Sequence, residues 1–246
     1  MTGFTEFLHH CAPAAARPGR PPPRATSASP TADPMNPRPK KLKLLRWLPN
    51  RWVLTRGARR GRALYLTFDD GPHPEHTPVL LDLLAAHGAK ATFFLIGREA
   101  ERYPEMVERI VREGHALGNH SWSHPQFDRL DLDAQRDEIE RTDRLLTRFD
   151  GLARHDFRPP RGVMPRPMLM DCVRRRRRIA YWSYDSLDYS KRPADALIAS
   201  AQRHPLQAGE IVLMHDDSTL SLQLLQTMLP EWTANGFVFE PLRPSA

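Results

Sequence analysis

The sequence predicts an α/β protein with a parallel β-sheet, either open or closed into a barrel. Short apolar runs alternate with segments of helical spacing from Ala63 onward, over roughly 180 residues. Polar and charged side chains follow the apolar runs at the points where the runs end. The carboxyl ends of the strands in such a barrel meet on one face, so we expect the chemistry to be built there.

The apolar runs rich in β-branched and aromatic residues are predicted to be strands. Their sequences, in chain order, are ALYLTFD, KATFFLIG, HALGN, HDFRP, IAYWSYD, EIVLMH and FVFEPL. Helical spacing occurs between them, which is the alternation expected of parallel strands joined by crossover helices.

The helices are predicted from apolar spacing, capping residues and glycine stops. The first has Thr77 as its N-cap and Gly88 as its stop, and the second ends at Gly114. The predicted helices cover residues 77–88, 99–113, 133–149, 167–178, 194–204 and 219–234, and the last one stops at Gly236. The arginine run Arg174–Arg178 is interpreted as the solvated end of the fourth helix rather than as a nucleic-acid patch.

The basic charge is concentrated in the N-terminal quarter of the chain. Residues 1–62 hold 13 of the 36 Lys and Arg against two acids, Glu6 and Asp33, so this segment carries +11. The remainder has 23 basic against 27 acidic residues, or −4. Residues 1–39 contain almost no large apolar side chains, so we expect a disordered tail over most of residues 1–62 and a single folded domain at 63–243. Met35 is an alternative translation start that would remove most of the tail.

Residues 40–60 have two interpretations. The stretch KKLKLLRWLPNRW mixes Lys and Arg with Leu and Trp, which suits an anchor on an anionic membrane surface or on a lipid-linked substrate. Alternatively, it is a basic lead-in whose Leu44, Leu45 and Trp47 pack on the domain.

Composition also bears on the compartment and on the partners. Cys11 and Cys172 are too few for a disulfide framework, which is compatible with a reducing compartment. The N-terminus does not resemble a secretory signal, and no apolar run approaches the roughly 18 residues of a membrane span. We therefore expect a cytoplasmic protein, alternatively one peripheral on the inner face of the membrane. The charge of −4 on the domain argues against a nucleic-acid partner.

A candidate metal site combines two parts of the sequence. Asp69 and Asp70 are adjacent at the end of a predicted strand, where two like charges need a positive partner. His120 and His124, in GNHSWSHP, would share one face if residues 121–124 form a helical turn. Two imidazoles and one carboxylate make a three-ligand site with open positions for water and substrate, which suits Zn²⁺ or a similar divalent ion. Four further histidines are not expected to be ligands: His73, His76, His115 and His155.

The motifs TFDDGP, HSWSH, RPPRG, DSLDY and LMH occur in the order and approximate spacing of the polysaccharide deacetylase family, the NodB homology domain or carbohydrate esterase family 4. The resemblance extends over about Ala63–Leu242. It implies a distorted (β/α) barrel of about seven to eight strands. It also implies metal-dependent removal of N-acetyl groups from sugars, with Zn²⁺, or alternatively Co²⁺, Ni²⁺ or Mn²⁺, as the cofactor.

The resemblance implies a role for each matching residue at the predicted metal site. Asp70, His120 and His124 are similar to the family's metal ligands, and Asp69 is similar to its general base. Arg158 of RPPRG resembles the arginine that orients this base. A guanidinium beside Asp69 should lower the pKa of that carboxyl and hold its geometry.

The acid is implied in the same way. His215 of LMH resembles the group that protonates the leaving amine, and Asp188 resembles the carboxylate that tunes it, with Asp185 as the alternative partner. A histidine paired with a carboxylate remains protonated near neutral pH, as an acid must.

The resemblance also implies a substrate groove, with Leu213, Pro160, Arg161 and Tyr189 as its residues. Leu213 is expected to line the pocket for the acetyl methyl group. Arg161 stands where many relatives have an aromatic residue, and Tyr189 stands where a Trp is common. The exchange of a flat ring for a charge favours an anionic or phosphate-bearing ligand.

The resulting functional hypothesis is a divalent-metal-dependent hydrolase that removes N-acetyl groups from N-acetylhexosamine units of an oligo- or polysaccharide such as chitin or peptidoglycan. One alternative is a deacetylase or deformylase of an aminosugar on a lipid carrier. The other is a non-catalytic sugar-binding module, against which the presence of Asp69 and His215 counts. The expected partner is an N-acylated sugar, with peripheral contact to an anionic membrane or lipid-linked sugar through residues 40–60.

Overall fold

The computed structural model describes residues 35–59 and 61–243. The disorder predicted for residues 1–34 lies outside this part of the chain. The described residues form an α/β fold in which every strand pair is parallel, as the alternating pattern predicts. None of the helices in this part is both long and apolar enough to cross a bilayer.

The strands of the described residues line up around a central strand. They are β1 (Val53–Leu54), β2 (Ala63–Asp69), β3 (Ala91–Leu95), β4 (Ala116–Asn119), β5 (Ile179–Ala180), β6 (Tyr184–Asp185), β7 (Ile211–His215) and β8 (Val238–Phe239). Their order in the main sheet is β4-β3-β2-β7-β6, with β8 paired to one end of β2 and β1 paired to β5. Strand β2 is buried along its whole length, which explains its unbroken apolar character.

The barrel is distorted where two predicted strands fail to form regular ladders. The run at 179–185 is one strand in the prediction but two in the structure, since β5 pairs with β1 whereas β6 pairs with β7. The predicted strand at 155–159 is wrong, because only Phe157 makes bridges, one to Asn119 and one to Ile179. Phe157 thus links β4 to β5, and residues 179–185 lead the ring back to β7.

The helices agree with the predicted periodicity, with changes at their ends. They are α1 (Leu42–Leu45), α2 (His76–Ala86), α3 (Gly97–Arg102), α4 (Pro104–Arg112), α5 (Leu132–Asp150), α6 (Arg166–Arg174), α7 (Ala194–Arg203) and α8 (Thr219–Ala234). The predicted helix at 99–113 is two helices, because Pro104 cannot continue a helix and begins a new one. Gly88 adopts φ +60 just past α2, as its role as a stop predicts.

Two predicted helix ends are wrong for tertiary reasons. Thr77 is not the N-cap of α2; it lies inside the helix and donates a hydrogen bond to Asp216 (2.7 Å). The arginine run is only partly solvated, because α6 ends at Arg174 and the last two arginines turn inward. Arg177 pairs with Asp143 (2.6 Å), and Arg178 pairs with a carboxylate of its own.

The segment that precedes the predicted domain is folded onto it from Met35. The Met35 carbonyl accepts a hydrogen bond from Ser200 (2.9 Å), and the Pro37 carbonyl accepts one from the Asp185 amide (2.7 Å). Strand β1 extends the packing by its ladder with β5. The described unit therefore starts well before residue 63, because a strand too short to predict pairs with residues more than a hundred positions away.

The apolar residues of β2 alternate between two cores. Leu64, Leu66 and Phe68 belong to the cluster packed under the helices, whereas Ala63 and Tyr65 belong to a second cluster with the residues of β5. Asp69 ends the second row, since successive side chains of a strand point to opposite faces. The pleat of β2 thus sets the direction of the carboxylate.

Candidate active site

Strand register brings two predicted catalytic residues to the same cavity. Asp69 at the end of β2 is the register partner of His215 at the end of β7. Both line a cavity of about 360 Å³ at the carboxyl ends of the strands. The lining residues are Asp69, Asp70, His120, His124, Arg161, Gly162, Trp182, Asp185, Tyr189, Leu213 and His215.

Asp70 reaches the cavity because the backbone turns after Asp69. Adjacent strand residues point to opposite faces, so two successive aspartates in a strand would not both face inward. Asp70 adopts φ +76, a left-handed conformation that aspartate tolerates better than most residues. Its Oδ1 atom consequently lies 3.4 Å from Nε2 of His120 and 3.4 Å from Nε2 of His124.

The two histidines meet through a loop rather than through the predicted helical turn. Ser121 and His124 both have positive φ, +69 and +55, which a right-handed helix excludes. Asn119 holds the loop by accepting a hydrogen bond from the Ser121 amide (2.9 Å), and the Ser121 hydroxyl accepts one from the His124 amide (3.1 Å). The spacing of four residues is therefore right, but the local structure inferred from it is wrong.

His120 is prepared to act as an electron-pair donor. Its Nδ1 atom lies 2.7 Å from the carbonyl oxygen of Arg158, which can only accept, so Nδ1 carries the hydrogen. The lone pair of Nε2 then points at the cavity. Burial lowers the pKa of His120 to about 3, so the ring is neutral at physiological pH, as a ligand must be.

The arrangement of Asp70, His120 and His124 fits a divalent cation. Oδ1 of Asp70 is buried and accepts no hydrogen bond from the described residues. The nitrogen lone pair of His120 and this carboxylate oxygen would repel one another at 3.4 Å unless a cation lay between them. An edge of a tetrahedral site with bonds of about 2.1 Å measures about 3.4 Å, which is the observed separation.

Arg158 fixes one oxygen of Asp69 and leaves the other facing the histidines. Its Nη1 donates to Asp69 Oδ1 (2.7 Å) and to the hydroxyl of Thr67 (2.8 Å). The guanidinium is fully buried against the ring of Phe94, with 4.0 Å from Cζ to the ring centroid. Asp69 Oδ2 lies 3.8 Å from Nε2 of His120.

The pKa of Asp69 differs from the prediction. Burial raises the pKa of this carboxyl above its ordinary value, and the charge and hydrogen bond of Arg158 lower it by less than burial raises it. The predicted direction of the arginine effect is right, but the net direction is opposite because the carboxyl is almost entirely removed from water. A raised pKa suits a group that must accept a proton near neutral pH.

His215 is held and charged by Asp188. The Asp188 carboxylate accepts from the imidazole Nδ1 (2.7 Å) and from the His215 backbone amide (2.7 Å). Burial lowers the pKa of His215, but the hydrogen bond and the charge of Asp188 outweigh it and raise the pKa to about 10. The alternative partner, Asp185, instead accepts from Tyr189 (3.2 Å) and from the Leu187 amide (3.0 Å).

The predicted groove residues occupy different places. Leu213 lies in the cavity, and so does Tyr189, whose ring meets the edge of the His215 ring at 5.5 Å between centroids. Arg161 also lines the cavity, whereas Pro160 is buried beside it and does not. Three lining carboxylates accompany the single guanidinium, so the side chains alone do not make the cationic groove that the sequence suggested.

Several residues of the site were not predicted. Thr67 could have been found, because it precedes Asp69 by two residues and so shares its face of β2. Trp182 had no such signal, since it lies between the two halves of a strand predicted as one. Gly162 is required beside it: a Cβ there would lie 2.6 Å from the Trp182 ring, and φ is +63.

Comparison with known proteins places this arrangement in one family. The family model described as polysaccharide deacetylase matches residues 56–173. A peptidoglycan-N-acetylglucosamine deacetylase from Bacillus cereus is 35% identical over 205 residues, which are 80% of this chain and 74% of the relative. A chitooligosaccharide deacetylase from Bradyrhizobium sp. (strain ANU 289) is 32% identical over 197 residues, or 74% and 89% of the two chains.

A solved structure agrees in fold as well as in sequence. It is the crystal structure of a peptidoglycan N-acetylglucosamine deacetylase in complex with 4-naphthalen-1-yl-N-oxidanyl-benzamide. It superimposes with a TM-score of 0.74 at 34% identity and covers 80% of this chain and 94% of its own. The two proteins therefore share the distorted barrel fold.

Proposed function

The chain belongs to the polysaccharide deacetylase family, and on that premise we propose that it is a divalent-metal-dependent hydrolase removing N-acetyl groups from N-acetylhexosamine units of a glycan. One observation carries the proposal. A buried carboxylate, Asp69, and a charged histidine, His215, line the same cavity as the Asp70–His120–His124 cluster. A proton acceptor and a proton donor beside one cation suit the hydrolysis of an amide.

Zn²⁺ is the proposed ion, held by Asp70, His120 and His124. Two neutral imidazoles and one carboxylate are a ligand set that Zn²⁺ commonly takes in catalytic sites. When bound, the ion supplies polarisation of the amide carbonyl and a lower pKa for the attacking water. His120 is oriented for this role by the Arg158 carbonyl.

The proton transfers and the contact with the acetyl group are assigned to side chains of the protein. Asp69, with Oδ1 held by Arg158, accepts the proton of the attacking water through Oδ2, and the water oxygen bonds to the acetyl carbon. The carbon–nitrogen bond then breaks as His215 donates its Nε2 proton to the leaving nitrogen, giving acetate and a free amino sugar. Leu213 supplies an apolar wall on which the acetyl methyl group can rest.

The substrate class is proposed from the relatives and from the cavity. The relatives' names include a peptidoglycan and a chitooligosaccharide deacetylase, so a β-linked N-acetylglucosamine polymer is the leading substrate. Arg161 is the groove residue that could distinguish them, since a peptidoglycan fragment carries carboxylates and a chitooligosaccharide does not. We expect Arg161→Gln to raise KM for the anionic substrate more than for the neutral one.

The test is release of acetate and formate from chitooligosaccharides, peptidoglycan fragments and polyprenyl-linked aminosugars. The purified full chain is assayed with Zn²⁺, with a chelator, and as Asp69→Asn, with the exposed Asp137→Asn on α5 as the matched control. Bound metal is measured on each variant, because Asp69→Asn should abolish release while leaving the metal in place, and Asp70→Asn should lose the metal.

Each outcome decides between functions. Chelator-sensitive release lost in Asp69→Asn supports the proposal, and the productive substrate names the class. Release only from the lipid-linked aminosugar favours the carrier-linked alternative. Stoichiometric metal without release from any substrate contradicts the hydrolase and favours a sugar-binding module.

A further inference from the structure

We propose that the segment Lys40–Arg51 is a docking surface for a bilayer containing anionic lipid, held in place by the folded domain. Two features carry the inference: a pair of exposed apolar side chains on one helical turn, and a set of exposed cations in the same segment that form no salt bridge with a described residue. This surface is separate from the proposed catalysis and stands whether or not the chain is a deacetylase.

The apolar pair is Leu44 and Trp47. Leu44 is 75% exposed and Trp47 is 87% exposed, the two largest values among the exposed large apolar residues of the described chain. They are three residues apart, and the Trp47 amide donates to the Leu44 carbonyl (3.2 Å), so both side chains lie on one side of the turn. Of the two interpretations of this segment, the one in which Leu44, Leu45 and Trp47 all pack on the domain is wrong for Leu44 and Trp47.

The turn is fixed by the other side of the same helix. Leu42 and Leu45 are buried, with 4% and 8% exposure, and Leu45 belongs to a core cluster. Upstream, Arg38 pairs with the buried Glu210 (3.4 Å) and donates to the Pro205 carbonyl (3.1 Å). Leu44 and Trp47 are consequently held out in water by packing beneath them, rather than exposed at the end of a loose chain.

The charge around this pair is of one sign. Five exposed cations occur in the segment: Lys40, Lys41, Lys43, Arg46 and Arg51. None of the five forms a salt bridge with a residue that the structure describes, and the sequence has no acid from Met35 to Arg62. An aromatic and an aliphatic side chain in a segment with five exposed cations match the headgroup boundary of an anionic bilayer, where each cation contributes about 1 kcal/mol, or about fivefold in affinity.

A nucleic acid fits these observations less well. Phosphate contacts would use the cations, but they give no reason for an exposed leucine beside the tryptophan. Burial of Leu44 and Trp47 is what a lipid surface adds. Binding to a bilayer should therefore depend on Leu44 and Trp47, whereas binding to a nucleic acid should not.

The test is partitioning of the full-length protein to vesicles. Vesicles of phosphatidylcholine are compared with vesicles containing phosphatidylglycerol by sedimentation, at several salt concentrations. The variants are Leu44→Ser/Trp47→Ser and Lys40→Gln/Lys41→Gln/Lys43→Gln. The control is Val79→Ser/Val238→Ser, which removes two exposed apolar side chains elsewhere.

We expect binding only to the anionic vesicles. It should fall roughly a hundredfold in the lysine variant, since each cation contributes about fivefold, and at least about tenfold in the Leu44/Trp47 variant. Brominated lipid should quench the tryptophan fluorescence of the wild type more than that of Trp47→Phe. Circular dichroism separates lost binding from lost folding.

Three results would overturn the proposal. One is anionic-vesicle binding that is unchanged in the Leu44/Trp47 variant, which would assign it to another part of the chain. Another is no vesicle binding at low salt. The third is binding to single-stranded DNA with no binding to vesicles, which would assign the surface to nucleic acid.

Discussion

Replacement of Asp188 by asparagine should move the alkaline limit of activity. Asp188 is the carboxylate that raises the pKa of His215 to about 10, by a hydrogen bond of 2.7 Å and by its charge. Asparagine keeps the size of the side chain but removes the charge, so burial and the remaining acids decide the pKa. We expect it to fall to its ordinary value of about 6.5 or below.

The size of the effect follows from the protonated fraction of His215. The proposed acid works only when protonated, so activity is lost as pH rises through its pKa. With a pKa of about 10 the ring is about 91% protonated at pH 9, and with a pKa of about 6.5 it is about 0.3% protonated. The ratio of variant to wild-type kcat should therefore fall about seventyfold between pH 7 and pH 9, beyond any constant loss from altered orientation.

The assay is acetate release at saturating substrate between pH 7 and pH 9, for the wild type and two variants. Asp185→Asn is the control, because Asp185 bonds Tyr189 and the Leu187 amide rather than His215, so its ratio should stay nearly flat. A flat ratio for Asp188→Asn would refute the assignment of His215 as an acid tuned by Asp188. A sloping ratio for Asp185→Asn alone would make Asp185 the tuning carboxylate.

Three further changes test other parts of the structure. Arg158→Lys should lower kcat by about a hundredfold with bound metal unchanged, because one ammonium cannot reproduce the guanidinium contacts both to Asp69 and Thr67 on β2 and to the Ala180 carbonyl on β5; an unchanged kcat would contradict this. Gly162→Ala should lower the melting temperature, at a cost of about 1–3 kcal/mol, and raise KM, since its Cβ would meet the Trp182 ring and its φ is +63. Burial lowers the pKa of His155, but two carboxylates outweigh burial and raise it to about 9. His155 therefore contributes about 3 kcal/mol to the free energy of unfolding below pH 6.5, and this contribution is lost as the pH rises through 9. Urea unfolding at pH 6.5 and pH 9.5 should show this slope in the wild type, and His155→Gln should show less of it.

The fold class and the strand ends that carry the chemistry could be predicted from local sequence. Strands β2, β3 and β7 are continuous apolar runs because both faces of a parallel sheet are covered, and that composition is visible without a structure. The carboxylate pair and the two histidines were recognisable because a three-ligand site restricts the residue types that can serve it.

The local shape of the site was not predictable in the same way. Asp70, Ser121 and His124 have left-handed backbone conformations, which only a few per cent of non-glycine residues adopt and which periodicity does not report. Such conformations persist because surrounding contacts hold them, as Asn119 does for Ser121. In the same way, the pairing of His215 with Asp188 rather than with Asp185 depends on the path of the loop after β6, which brings Asp188 to the end of β7.

The sequence by itself determined which residue types are present and which strand ends they follow. Only the tertiary structure decided that residues from Met35 belong to the folded unit, that burial outweighs Arg158 at Asp69, and that Leu44 and Trp47 remain exposed. The physical reason is that periodicity and composition describe a residue's own segment. Burial, charge and strand pairing depend on segments that are distant in the chain and adjacent in space.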